Sequence, residues 1–206
     1  MNNNYEYNDP DYKYTYPNSG VLRNLLGIDN KEALHFYESN YTAKQAEKIK
    51  QKSPKINNVQ DILKIHKDLF GKIYTWAGQF REVEISKNEH FFPTSHFNKA
   101  TQYLDNLISK YKNIDNNDRS SISEFLAKIL DTLNYFHPFR EGNGRTQRMI
   151  LYLLAKEKNY TLDLNPPDSP KIYETYMDGT INGNKELLTE LIQNCIKSDL
   201  QQTVGL

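Results

Sequence analysis

The sequence predicts an all-α fold: a mainly helical single domain with one short β-hairpin. Three observations carry that reading. Apolar residues recur at helical spacing through most of the chain. One stretch, Arg81 to Phe92, breaks the period, with Phe80, Val83 and Ile85 set among charges. Finally, 206 residues with no internal repeat and no linker between two cores suit one domain.

Composition narrows the function. The 26 Lys+Arg and 26 Asp+Glu cancel, giving a formal net charge of +0 at pH 7. A protein that coats nucleic acid or an anionic membrane needs a basic excess, so neither is expected as a direct partner. A local anion site stays open. The single cysteine, Cys195, excludes an intrachain disulfide and a multi-cysteine metal site, and suits a reducing, cytoplasmic setting. Met1 to Tyr16 lacks the basic and apolar regions of a secretory signal. The longest apolar run, Met149 to Ala155, falls far short of the roughly 20 residues that cross a bilayer.

Residues 1–18 read as a polar, tyrosine-rich arm that orders only if its tyrosines dock; 19–200 form the domain. Asp29 or Asn30 caps a helix through Ala33, Leu34, Tyr37, Tyr41, Ala46 and Ile49, which ends near Ser53-Pro54. Asn58 caps a second, with Val59, Ile62, Leu63, Ile65, His66, Leu69 and Phe70 on one face. The hairpin, residues 81–92, follows. Phe97 to Tyr111 returns to helical spacing. After a polar break, Ser121 or Ser123 opens a strongly apolar helix that stops at His137-Pro138. Beyond the loop Arg140 to Gly144 comes another apolar helix. A turn at Asn165 to Asp168 leads to two shorter helices, around 172–177 and 187–196. Tyr173 and Tyr176 stand at a spacing typical of packing residues.

The chemistry concentrates between the two apolar helices, in His137-Pro-Phe-Arg-Glu-Gly-Asn-Gly-Arg-Thr-Gln-Arg148. Gly142 and Gly144 let successive N–H groups converge into a nest for phosphate oxygens. The start of the next helix adds unpaired donors and a positive dipole end. Arg145 and Arg148, three apart, share a face and can hold one polyphosphate. Glu141 would be repelled by phosphate unless Mg²⁺ bridges them, and oxygen ligands suit that ion. His137 can take a proton near physiological pH. Singly, these are a helix-end histidine, a turn and two solvated arginines. Within twelve positions they read as nucleotidyl or phosphoryl transfer.

Residues 137–148 resemble the complete signature of the Fic (filamentation induced by cAMP) family, His-x-Phe-x-Asp/Glu-Gly-Asn-Gly-Arg-x-x-Arg. Tyr16-Pro17 with Leu22-Arg23-Asn24 and Gly27-Ile28 resembles the N-terminal segment of stand-alone bacterial Fic toxins and Fic effectors. His66, Phe70 and Trp76 to Arg81 resemble the approach to the family's flap. The resemblance implies a protein adenylyltransferase, moving AMP from ATP to a Ser, Thr or Tyr hydroxyl of a target protein. It makes His137 the base and Glu141 the Mg²⁺ ligand. Gly142, Asn143 and Gly144 become the phosphate nest, Arg145 and Arg148 hold the β/γ end, and Asn134 borders the nucleotide. The hairpin becomes the flap that registers the target by strand addition, and its Lys87 and Asn88, Asn88 replacing the usual Gly, join the nucleotide-binding set.

The family's inhibitory pattern, Ser/Thr-x-x-x-Glu-Gly/Asn, is absent from the sequence: the only Glu before Gly or Asn is Glu141 itself. The resemblance therefore implies a separate small antitoxin chain whose glutamate meets Arg148, a bacterial cytoplasmic toxin, and type II topoisomerase subunits as targets, with a translocated effector as the other setting. The alternatives are UMP or phosphocholine transfer, removal of AMP, or a non-catalytic nucleotide-binding domain. A helix-turn-helix DNA reader is disfavoured, because its turn would carry Glu141 toward phosphate.

Overall fold

The computed structural model describes residues 6–7, 12–87 and 89–198, with backbone only for 6, 7, 87, 89 and 90. A two-residue strand, β1 (Glu6–Tyr7), comes first. The described part of the arm docks through Tyr14, which is buried, edge-on to Trp76 at 5.8 Å, its hydroxyl accepting from the Glu82 N–H, while Tyr12 stays exposed. The first helix, α1 (Lys31–Lys52), begins at Asn30, whose side chain accepts from the Ala33 N–H, and ends at Ser53 in the left-handed region. Its buried positions include a carboxylate, Glu38, beside Leu34, Thr42 and Ile49.

Helix α2 (Val59–Phe70) is capped by Asn58, which accepts from the Gln60 and Asp61 N–H groups. It buries Ile62, Ile65, His66, Leu69 and Phe70. The hairpin is β2 (Ile85–Lys87) and β3 (Glu89–His90), antiparallel, with Ser86 opposite His90. The strands are shorter than the expected span; residues 81–84 are held by side-chain bonds instead. On the other edge of β2 lies β1, Glu6 opposite Ser86 and Tyr7 opposite Ile85. The arm thus contributes a strand that two residues are too few to announce by alternation.

Helix α3 (Phe97–Lys112) leads into α4 (Arg119–Phe136). Neither Ser121 nor Ser123 opens α4. Asp118 does, accepting from the Ser121 N–H at 3.0 Å, while Ser123 is buried and donates to the Arg119 carbonyl. A carboxylate one turn earlier outcompetes the hydroxyls at the positive helix end. The apolar α5 (Asn143–Glu157) packs on α4 and α2. Two short strands, β4 (Tyr160–Thr161) and β5 (Lys197–Ser198), pair antiparallel around α6 (Pro170–Ile181) and α7 (Lys185–Cys195). The helix α4 is central, packed on α3, α5 and α7, so the loop joining α4 to α5 sits on the best-buttressed part of the molecule.

Candidate active site

Helix α4 ends by placing His137 as its cap in the left-handed region, φ 44°, with its N–H donating to the Leu133 carbonyl at 3.0 Å. That bend turns the imidazole toward the cavity. His137 Nδ1 lies 3.3 Å from the Asn134 carbonyl. A carbonyl only accepts, so Nδ1 carries the proton and Nε2 is the basic nitrogen. Phe91, at the foot of the hairpin, stacks on the ring at 3.8 Å.

The loop beyond is closed from inside. Asn143 accepts from the Phe139 N–H at 3.0 Å and donates to the Phe139 carbonyl at 2.7 Å. Its side chain is thereby committed to closing the loop. Gly142 has φ +80°, and a Cβ there would stand 2.4 Å from the Phe70 ring; the turn needs glycine for conformation and for room. As the cap of α5, Gly142 starts a helix whose first N–H groups have no intrahelical acceptor.

Charged groups converge on this turn. Glu141 accepts from the Gly142 N–H at 2.8 Å and lies 3.4 Å from Arg145. Arg145 also pairs with Glu38 of α1 at 2.5 Å and lies over the Phe70 ring. Tyr74 donates to Glu38, and burial with that carboxylate beside it pushes the Tyr74 hydroxyl far above the ordinary range. Arg148 lies over both Tyr173 and Tyr176, at 5.1 and 5.3 Å. The two tyrosines pack on each other as their spacing suggested, and they also steady Arg148. Burial raises the Tyr176 hydroxyl, with Arg148 opposing.

A second histidine supports the loop. His66 is fully buried, stacked on Phe139 at 3.7 Å. The Gly78 N–H donates to its Nδ1 at 2.8 Å, so Nε2 carries the proton and donates to the Glu141 carbonyl at 3.0 Å. Burial pushes its pKa down to about 3, despite the opposing carbonyl contact, and it stays neutral.

His137, Glu141, Gly142, Gly144, Arg145 and Arg148 all line one cavity of about 410 Å³, within the roughly 300–1,000 Å³ of small-molecule sites. Asn134 is in its wall, donating to the Thr180 carbonyl at 2.7 Å to join α4 to α6. A larger groove, about 900 Å³, adjoins it across Phe91 and Asn134 but holds none of the loop's charged groups. Lys87 belongs to β2, and Asn88 lies outside the described residues. Glu38, Tyr74 and His66 escaped the sequence reading as site residues. The available signal was Glu38 itself, a carboxylate on the buried stripe of α1, four residues from both Leu34 and Thr42.

The chain matches the model of the Fic/DOC family over residues 56–155. It is 32% identical over 190 residues to protein adenylyltransferase VbhT of Bartonella schoenbuchensis, covering 90% of this chain and 38% of that one. The chain therefore spans about two fifths of that relative. With the Salmonella typhimurium protein named probable protein adenylyltransferase Fic, identity is 31%, over 72% of this chain and 74% of that protein. The solved structure of Bartonella tribocorum BepC, a VirB-translocated effector with bound AMPPNP, superposes with a TM-score of 0.79 at 21% identity, covering 91% and 97% of the two chains. That likeness shows a shared fold. Sequence match and complete loop together place this chain in the Fic/DOC family.

Proposed function

We propose that the chain is a protein adenylyltransferase that moves AMP from ATP to a hydroxyl of a target protein. The observation that carries the reading is the meeting of His137, its Nδ1 on the Asn134 carbonyl, with a helix start and two arginines in one cavity. The target hydroxyl loses its proton to His137 Nε2 as its oxygen bonds to the α-phosphorus. The bond from that phosphorus to the bridging oxygen breaks, and pyrophosphate leaves. The N–H groups at the start of α5 receive the charge that develops on phosphate oxygens, and Arg145 and Arg148 hold the β/γ end. A positioned base of this kind is worth about a hundredfold to ten-thousandfold.

The residues fit Mg²⁺. Glu141 presents a carboxylate on the nest's rim, partly open to the cavity, and this ion is commonly held by one carboxylate together with substrate phosphates. Mg²⁺ would neutralise charge between Glu141 and the triphosphate. Before nucleotide arrives, the Gly142 N–H and Arg145 already hold the Glu141 carboxylate at the nest.

The target adds to the hairpin by strand pairing. Because β1 takes one edge of β2, the edge of β3, leading to Phe91 and His137, is the one that serves. For regulation, the chain's own carboxylates Glu38 and Glu141 engage Arg145, whereas Arg148 rests on tyrosines. That arrangement supports an external inhibitor, a small antitoxin chain whose glutamate meets Arg148. We read the protein as a bacterial toxin acting in the cytoplasm, with type II topoisomerase subunits as the first targets to try. The naming of BepC as a translocated effector favours a second setting, delivery into another cell.

The test is mass spectrometry of lysate proteins after incubation with ATP and Mg²⁺. Adenylylated Ser, Thr or Tyr is expected with wild type and lost with His137→Ala. Protein carrying no adenylyl group, or carrying phosphate instead, contradicts the reading. Growth arrest by wild type but not by His137→Ala, at matched expression, checks the toxin role.

A further inference from the structure

Between the family loop and the hairpin stands one fully buried cation that neither the nest nor the base accounts for. Arg81 is 2% exposed, with its guanidinium enclosed. Burying a charge is costly unless each donor finds an acceptor. Here Nε donates to the His137 carbonyl at 2.9 Å, Nη1 to the Val83 carbonyl at 2.7 Å, and Nη2 to the Phe92 carbonyl at 2.6 Å. The Arg81 backbone N–H adds the Pro138 carbonyl at 2.8 Å. Glu84, 3.2 Å from Nη1, balances the charge, and its other oxygen accepts from the N–H and hydroxyl of Thr94. The Phe97 ring lies against the guanidinium at 4.9 Å.

These acceptors belong to three places. Val83 precedes β2, Phe92 follows β3, and His137 is the base. One planar fork therefore fixes both roots of the hairpin and the backbone of His137 in a single rigid figure. A lysine ammonium has no such fork and cannot meet three carbonyls in those directions.

We infer that Arg81 is a positioning residue that couples the target-binding hairpin to the catalytic base, setting the height of β3 above His137. The inference rests on the adenylyl-transfer reading for its consequence, though not for the coupling itself. The hydrogen-bond partners of the Arg81 side chain are His137, Val83, Phe92 and Glu84, none of them among Gly142 to Arg148, so nucleotide affinity is expected to survive its loss.

The test compares wild type with Arg81→Lys in the full chain, by three readouts. Hydrogen exchange of the hairpin amides should speed up about tenfold, the scale of one lost charge-assisted bond, while the α2 and α5 amides keep their protection. The ¹⁵N signals of the His137 imidazole should shift. Transfer from α-labelled ATP onto lysate protein should fall by about tenfold or more, with the Kd for AMPPNP and Mg²⁺ kept within about twofold. A folded Arg81→Lys protein with unchanged hairpin exchange and unchanged His137 signals overturns the inference. So does a parallel loss of AMPPNP affinity, which would mark a general structural role. If Arg81→Lys does not fold, Glu84→Gln carries the test: faster hairpin exchange with a shifted His137 supports the coupling, and neither overturns it. If wild type transfers no AMP, the functional reading fails, while exchange and imidazole signals still decide the coupling.

Discussion

The floor of the cavity and the hairpin above it are built on opposite principles. The floor is over-determined. Gly142 is pinned by conformation and by Phe70, Asn143 closes its own loop with two hydrogen bonds, and His66 stacks on Phe139 while holding the Glu141 carbonyl. The hairpin has two short strands, a borrowed strand from the arm, and one buried arginine at its root. Under the proposed adenylyl transfer, a fixed floor suits nucleotide handling, because charge must be met by groups that need not move. Under the same proposed function, a slight hairpin suits the part that would receive the target protein. In that proposal chemistry and selection are separated, and they meet at His137.

The comparison is broken most severely by His137→Ala. Transfer should fall by about a hundredfold to ten-thousandfold, with the melting temperature and AMPPNP affinity nearly unchanged; calorimetry alongside the rate assay checks both. Gly142→Ala strikes the floor itself. With φ +80° and a Cβ 2.4 Å from the Phe70 ring, it should cost about 1–3 kcal/mol of stability from backbone strain, before any repacking of Phe70. Thermal or urea unfolding measures this. Arg148→Ala should weaken AMPPNP binding by about tenfold to a hundredfold, the worth of one charge-assisted contact, and leave the hairpin untouched. The smallest effect belongs to Ser86→Pro. It removes an N–H from the strand that pairs with both β1 and β3 and should cost about 1 kcal/mol in target engagement. It should appear as a raised KM for the target with AMPPNP affinity preserved. An equal effect of Ser86→Pro on nucleotide and target would erase the division between floor and hairpin.

Much of the floor was legible because its signals are local. Asn30 and Asn58 cap where expected, and α2 buries the face its spacing drew. The loop could be read as a tight glycine turn opening a helix, from glycine spacing and the apolar run that follows. The start of α4 was misplaced because several caps stood close together, and the winner depended on which N–H groups the fold left open. What stayed hidden was long-range. Nothing local says that Glu38 reaches Arg145, or that Arg81 gathers the His137, Val83 and Phe92 carbonyls. Such contacts exist only once α1, the hairpin and the loop have been packed together. Buried charges at apolar stripe positions are their one trace in sequence.

The central claim is that the cavity transfers the α-phosphoryl end of ATP with its nucleoside, and not the terminal phosphate. Incubating the protein, Mg²⁺ and bacterial lysate with ATP labelled at either the α- or the γ-phosphorus tests this directly. The account predicts that the α-label becomes bound to protein while the γ-label leaves as pyrophosphate, with both outcomes abolished by His137→Ala. Protein-bound γ-label, or α-label recovered only as free nucleotide, would contradict it.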